Sequence, residues 1–510
     1  AFKALRDLDQ ACHYFEKAIQ INANYAEAFN NLGVTLIELG DYKSAITALK
    51  KSIQIKSDYF EAHNNLGCAY KEIGNLDAAI NSLNESLSIN PRYSDAYYNL
   101  GQVRSDSGSD IEAVILFYRA LFYKTNNPEI YNNLGVVYSQ QGEFTAAIAS
   151  YKAALLLKPD FPEAHNNLGL AFEETGNLSA SMSCYKTALE INNDYSEAHI
   201  NLSMLELLLG NYKSGWWRYE YRFLGKNKQK LLVAQPHTQR WDAKTTLRDQ
   251  LLVLITEQGL GDTLQFLRFY RELQNQGLRV SLCAPKKIHL LIQSSGIESS
   301  PLLPEQLNFY PDSKWYPLQS LAGYFDVNPN KKNITDPYIR PPNHLVNQWK
   351  TNFSEIDRPL IGLNWRGNRL DKKKDNRNYP ILLLKKILDE LGFAVISIQS
   401  IINDSEARTS WSDIDSISYQ ARIHQLADSH SELDFAEYAA VISCCDLVIT
   451  TATTPSHLAA SMGVKTWTLI SHRPDWRWGL EGDTTFWYPS MRLFRQTHNK
   501  NWDQVILDVE

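Results

Sequence analysis

The chain has 510 residues, 44% of them hydrophobic and 21% charged, with a formal charge of −6. That length is too great for one ordinary core, the composition excludes wholesale disorder, and the charge excludes a global basic field that would recruit nucleic acid. Its six cysteines (Cys12, Cys68, Cys184, Cys283, Cys444, Cys445) form no C-x-x-C pair, and no apolar run reaches the ~18 residues of a membrane-spanning helix. Reduced thiols, no metal site, no membrane span and a cytoplasmic location are therefore expected.

From the first residues to about 224 the chain repeats itself. Leu32, Leu66, Leu100, Leu134, Leu168 and Leu202 are each 34 residues apart. Gly33, Gly67, Gly101, Gly135 and Gly169 follow them, and a second glycine column runs Gly40, Gly74, Gly108, Gly142, Gly176, Gly210. Small side chains recur at Ala45, Ala79, Ala113, Ala147, Ser181 and Gly215, and again at Ala18, Ser52, Ser86, Ala120, Ala154 and Ala188. Each unit reads as a helix, a glycine turn and a second helix, with the small columns allowing close helix approach. These columns resemble the tetratricopeptide repeat: a half repeat and then six helix pairs. The resemblance implies an α-solenoid superhelix with a concave protein-binding surface. Asn31, Asn65, Asn99, Asn133, Asn167 and Asn201 precede the leucines. An amide offers both a donor and an acceptor, so this column is a candidate clamp for an extended peptide backbone. Hydrogen bonding between repeats is the alternative. The last unit drifts into Gly210–Phe223, whose aromatics predict a cap docking onto the next domain.

Beyond residue 225 the period is lost and short apolar runs alternate with helical patterns. Strands are expected at 251–255, 279–284, 359–365, 393–399, 446–450 and 465–470. Helices are expected near 262–275, 286–294, 380–391, 434–444 and 455–462, with a proline-punctuated region at 301–342. Such alternation predicts parallel α/β structure, in two similar domains, 225–345 and 346–510, facing each other across a cleft. In such folds ligands sit at the carboxyl ends of the strands.

Three stretches at those strand ends carry the candidate chemistry. The first is Thr256–Phe266, with Gln258, Gly259, Gly261 and Asp262. It lacks the third glycine of a dinucleotide fingerprint and the lysine of a phosphate-binding loop, which argues against both ligands. Asp262 at the helix start is a candidate base kept ionised by the helix N-terminus, or else an ordinary capping aspartate. The second is Thr450–Val464, where Thr453, Thr454, Ser456 and His457 open a helix. Thr454 reads as the hydroxyl cap and Pro455 as the first helical residue, a setting suited to a diphosphate. His457 either donates to that group or packs beneath the turn. The third is the basic stretch Asn364–Pro380, from which Arg366 and Lys374 are candidates for neutralising phosphate.

Taken together, LITEQGLGDTLQFLRFY, IGLNWRGN, DLVITTATTPSHLAASMGV and PDWRWGLEGDTTFWYPSMRLFRQ resemble bacterial repeat-linked glycosyltransferases related to heptosyltransferases. More distantly, the whole chain is similar in architecture to protein O-N-acetylglucosamine transferases. The resemblance implies a GT-B fold of two Rossmann-like domains, metal-independent inverting chemistry without a cofactor, and a nucleotide sugar as donor substrate. It places the base on Asp262, the phosphate-binding turn on Thr453, Thr454 and His457, and the loop lysine on Lys374. Ala452 stands where that family usually carries an aspartate, so this carboxylate contact to the donor is missing. The expected function is sugar transfer to a hydroxyl of a protein or peptide held in the repeat groove. The alternative is an interaction scaffold carrying a degenerate, non-catalytic transferase domain.

Overall fold

The computed structural model describes the chain except for residues 1–6, 226–230, 248, 258, 332–335, 357–358, 366–393, 399–422, 426–433, 498–501 and 510. The chain divides into two compact units, 1–198 and 199–510.

The first unit is a run of short helices: α1 (Leu8–Ile21), α2 (Ala26–Leu39), α3 (Tyr42–Ile55), α4 (Phe60–Glu72), α5 (Leu76–Ile89), α6 (Ser94–Asp106), α7 (Asp110–Tyr123), α8 (Pro128–Gln140), α9 (Phe144–Leu157), α10 (Pro162–Glu174) and α11 (Leu178–Ile191). The two glycine columns have different physical causes. Gly40 and its counterparts adopt φ near +80°, the left-handed turn that separates the helices of a pair. Gly33 and its counterparts sit inside helices and make room for a partner. A Cβ at Gly33 would lie 2.5 Å from Leu49 Cγ, and one at Gly101 would lie 2.7 Å from Phe117 Cε1. Leu49 and Phe117 are fully or almost fully buried, and burying a side chain of that size contributes roughly 1.5–3 kcal/mol. Asp41, Asn75 and Asn177 each cap the second helix of their pair by accepting a hydrogen bond from the backbone N–H three residues on.

The asparagine column is occupied between repeats. Asn65 Nδ2 donates to Asn30 Oδ1 (2.9 Å), Asn99 Nδ2 to Asn64 Oδ1 (2.9 Å), and Asn167 Nδ2 to Asn132 Oδ1 (3.1 Å). Asn133 Nδ2 donates to the Tyr98 hydroxyl at 2.9 Å, because tyrosine stands there in place of asparagine. The acceptors Asn30, Asn64 and Asn132 are buried. Each amide therefore joins one repeat to the repeat before it.

The second unit begins within helix α12 (Ser196–Leu208) and continues with α13 (Tyr212–Tyr219) and the turn Glu220–Phe223. The aromatic segment is built into this unit's core. Trp216 Nε1 donates to Val327 O at 2.8 Å, and its ring meets Trp476 edge-on. Arg222 forms a buried two-point pair with Glu257, Nε to Oε2 and Nη2 to Oε1, both at 2.8 Å.

The rest of this unit is built on two parallel sheets. The first, ordered β2-β1-β3, joins β1 (Leu252–Ile255), β2 (Val280–Cys283) and β3 (Lys314–Pro317). The second, ordered β6-β5-β4-β7-β8-β9, joins β4 (Leu360–Asn364), β5 (Ala394–Ser397), β6 (Ile423–Gln425), β7 (Leu447–Thr451), β8 (Thr466–Ile470) and β9 (Met491–Arg495). That order is the one in which doubly wound nucleotide-binding sheets are built, with its reversal between β4 and β7. All four residues of β1 and all five of β4 are buried, as expected for strands covered on both faces.

The predicted strands appear within a residue or two of their expected ends, while β3, β6, β9 and the helix Asn343–Asn352 were not anticipated. Strand β3 (KWYP) ends in a proline inside the proline-punctuated region, and β6 (IHQ) is too short to show alternation. The helix expected at 380–391 lies outside the described residues.

Candidate functional site

Both sheets reverse their order beside the strand that leads to a candidate stretch. Strand β1 lies between β2 and β3, and its carboxyl end runs into Gly259 and the helix Leu260–Phe266. Strand β7 lies beside β4, and its carboxyl end runs into the helix Thr454–Ser461. The two helices pack directly on each other. Gly261 is the contact point: a Cβ there would lie 3.1 Å from His457 Cδ2 and 3.5 Å from both Thr454 Cα and Thr454 Oγ1. Gly259 is required for another reason, since its φ of +111° turns the chain from strand to helix.

Asp262 is the third residue of its helix; the cap position is Gly259, so Asp262 does not cap. Its carboxylate, 32% exposed, accepts from Arg477 Nη2 at 2.5 Å. The same guanidinium donates to Asp475 Oδ1 (2.8 Å) through Nη1 and to Gln265 Oε1 (2.7 Å) through Nε. Burial alone would lower the Arg477 pKa, but the carboxylates of Asp262 and Asp475 more than offset it and hold the group above its ordinary value. A cation fixed beside Asp262 favours its ionised form.

At the facing corner the helix starts one residue earlier than the sequence suggested. Thr453 holds the cap position in extended backbone, makes no side-chain cap bond, and is followed by Thr454 and Pro455 within the helix. The Thr453 hydroxyl instead accepts from Asn364 Nδ2 (3.2 Å), which also donates to Thr450 Oγ1 (3.1 Å). Asn364 thereby ties the carboxyl ends of β4 and β7 together at the reversal. Ser456 Oγ donates to Thr453 O at 2.6 Å.

His457 is buried, stacked on Trp478, with Nδ1 3.1 Å from the Tyr488 hydroxyl. Burial, with the neighbouring Tyr338 adding to it, keeps the Tyr488 phenol well above its ordinary pKa, so it remains protonated. Arg268, also buried, spans the same region: Nη1 donates to Trp487 O at 2.7 Å and Nε to Gln265 O at 2.8 Å. Trp476, Trp478, Trp487 and Tyr488 are all buried packing residues.

The structure thus brings together Gly259, Gly261, Asp262, Thr453, Thr454, Ser456 and His457. Gln258, Arg366 and Lys374 lie outside the described residues. Arg477, Asp475 and Asn364 were not among the sequence candidates. A lone arginine between two tryptophans in PDWRWG was the available signal for Arg477; nothing marked Asn364 apart from its place at a strand's end. Among the described residues no helix is long and apolar enough to cross a membrane.

Comparison with known proteins agrees with this division. The glycosyltransferase family 9 (heptosyltransferase) model matches residues 316–505, a span that includes the Thr453–His457 corner and Arg477 but not Asp262. Tetratricopeptide repeat models match residues 1–25, 14–47, 35–74, 69–108, 137–176 and 162–195. Protein FlbA of Caulobacter vibrioides is 22% identical over 324 residues, covering 59% of this chain. The chain spans about half the length of that curated relative, 52%. Among solved structures, a MamA protein is 29% identical over 34% of this chain and 94% of its own, with a TM-score of 0.29. A tetratricopeptide repeat protein from Parabacteroides merdae is 15% identical over 45% of this chain and 91% of its own, with a TM-score of 0.39. The chain therefore joins tetratricopeptide repeats to a glycosyltransferase family 9 (heptosyltransferase) domain.

Proposed function

We propose that the protein is a metal-independent, inverting glycosyltransferase that moves a sugar from a nucleotide sugar to a hydroxyl of a protein or peptide recruited by its repeats. In this reading residues 225–345 and 346–510 are the two Rossmann-like halves of a GT-B enzyme, an organisation similar to that of protein O-N-acetylglucosamine transferases. The observation that supports it best is the meeting of the two order reversals. The Asp262 carboxylate, about one-third exposed, follows Gly261, which packs against Thr454 and His457 at the start of the helix Thr454–Ser461.

Asp262 takes the proton of the acceptor hydroxyl as that oxygen attacks the anomeric carbon. The bond from that carbon to the diphosphate breaks, and the nucleoside diphosphate leaves with the electron pair. Arg477 keeps the base ionised and aimed. Thr453, Thr454, Ser456 and His457 hold the diphosphate at the helix N-terminus, and Arg366 and Lys374 neutralise it. In the tautomer in which Tyr488 donates to His457 Nδ1, the ring proton lies on Nε2, and that nitrogen is the donor toward a phosphate oxygen.

The test is a thermal-shift panel of UDP, GDP and ADP sugars on the full chain, followed by intact-mass analysis of candidate acceptor proteins. Stabilisation by one donor and a mass gain of one sugar residue support the proposal. Stabilisation by none of them would show a scaffold carrying a non-catalytic domain. Donor consumption without protein mass gain would redirect the acceptor to a lipid-linked or polysaccharide hydroxyl.

A further inference from the structure

Helix α7 carries an apolar stripe on its solvent face. Ile111 is 74% exposed, Ile115 51%, Tyr118 53% and Phe122 80%. Their spacing, four, three and four residues, places them in one line along the helix. The equivalent places are polar in α3 (Lys43, Thr47, Lys50, Gln54), in α5 (Asp77, Asn81, Asn84, Ser88) and in α11 (Ser179, Ser183, Lys186, Glu190). In α9 only the last place is large and apolar, Leu156, which is 85% exposed. Repeat packing therefore does not require these side chains, since neighbouring repeats do without them. The buried face of α7 is a separate set, Ala113, Phe117, Ala120 and Leu121.

We propose that this stripe is the dimerisation surface of the protein, and that its occupant is α7 of a second copy, packed antiparallel about a two-fold axis. Three features of the stripe fit that occupant. First, it is aliphatic at one end and aromatic at the other. A two-fold axis at its midpoint lays Ile111 against Phe122 of the second copy and Ile115 against Tyr118. Parallel pairing would set like against like.

Second, Glu112 and Arg119 both lie on one side of the stripe, about a quarter turn from it at ~100° per residue. The same two-fold axis puts Arg119 of each copy beside Glu112 of the other, within about 3 Å along the axis. In this copy Glu112 already accepts from Arg104 at 3.0 Å and keeps 58% of its side chain exposed.

Third, the area suffices. At roughly 200 Å² for a fully exposed large side chain, the stripe offers about 500 Å² per copy. Pairing would then bury on the order of 1,000 Å², about the area a specific interface has to clear.

Sedimentation velocity of the full chain across a concentration series tests this, comparing wild type with the double variant Ile115→Glu/Phe122→Glu. Wild type is expected to be dimeric, and the double variant to weaken dimerisation at least tenfold with an unchanged circular dichroism melt. Asn81→Glu, at an equivalent polar place on α5, is the control that leaves dimerisation unchanged. Orientation is read by disulfide trapping. Ile111→Cys mixed with Phe122→Cys should give a covalent dimer, and Ile111→Cys alone should give none above wild type. A monomer at every concentration, a dimer indifferent to the double variant, or trapping of Ile111→Cys with itself would each overturn the proposal.

Discussion

Arg477 Nη2 donates to Asp262 Oδ1 across 215 positions of sequence, at 2.5 Å. This links the glycine turn after β1 to the tryptophan-rich segment between β8 and β9. One guanidinium also serves Asp475 and Gln265, so the orientation of Asp262 depends on a group with no freedom of its own. A planar fork can satisfy three acceptors at once, whereas an ammonium cannot hold the same directions.

Asp262→Asn is expected to keep the fold and the donor affinity while lowering kcat by about 10²–10⁴-fold, the usual contribution of a positioned base. Single-turnover sugar transfer and donor titration check it together. An undiminished rate would remove Asp262 from the chemistry.

Arg477→Lys separates positioning from packing. It retains a cation near Asp262 but abandons Gln265 or Asp475, and a loss of about 2–4 kcal/mol is expected for a buried, hydrogen-bonded charge left partly unpaired. Urea denaturation gives the stability. A kcat that falls while donor KM holds, with the rate recovered toward high pH, marks a positioning role; equal loss in every parameter marks a purely structural one.

Gly261→Ala probes the helix contact. The added Cβ would face His457 Cδ2 at 3.1 Å, tight enough that the ring must give by a few tenths of an ångström, and Thr454 at 3.5 Å, an ordinary van der Waals contact. The methyl improves helix propensity by up to ~1 kcal/mol, yet overpacking costs about 1–3 kcal/mol, so net destabilisation is expected. A lower thermal midpoint with donor stabilisation reduced in parallel would show that the phosphate corner moved; an unchanged midpoint would show that the two helices separate freely.

The repeats were legible because a period of 34 survives in independent columns, each with a local cause: a left-handed φ at Gly40, a ring against Gly101. The strands β1, β4, β7 and β8 were legible as apolar runs buried on both faces. What sequence could not display is pairing at long range. The partners of Asp262 and Thr453 are Arg477 and Asn364, 215 and 89 residues away, and no spacing encodes those distances. Nor did the sequence show that Thr453 would hold the cap position with its hydroxyl engaged by Asn364 and without a side-chain cap bond. The sequence likewise left His457 between donating to a phosphate and packing beneath the turn, and did not show that Trp478 and Tyr488 enclose it.

The asparagine ladder predicts a graded series. Asn65→Ala, Asn99→Ala and Asn167→Ala each remove a donor from a buried acceptor, so each is expected to cost about 1–3 kcal/mol. Asn31, exposed and first in the column, should cost little. Urea denaturation of the single variants checks the stability side. The peptide-clamp role is checked separately: the triple variant of Asn99, Asn133 and Asn167 should weaken capture of an acceptor protein by more than its stability loss explains.

Acid should weaken the second unit through Glu220. Burial would raise its carboxyl pKa, but Arg222 and Arg240 outweigh that and hold it below its ordinary value. Arg222 Nη1 donates to Glu220 Oε1 at 3.0 Å, and Arg240 donates to the other oxygen. A depressed folded-state pKa means that the unfolded chain takes up the proton first as pH falls. The stabilisation is thus fully present above the unfolded value of about 4.3 and is lost progressively below it. Thermal midpoints of wild type and Glu220→Gln, measured from pH 7 to pH 3.5, should differ most at neutral pH and converge in acid. Because both variants carry every other carboxylate, the convergence isolates Glu220; a constant gap across the range would mean that its pairing does not respond to protonation.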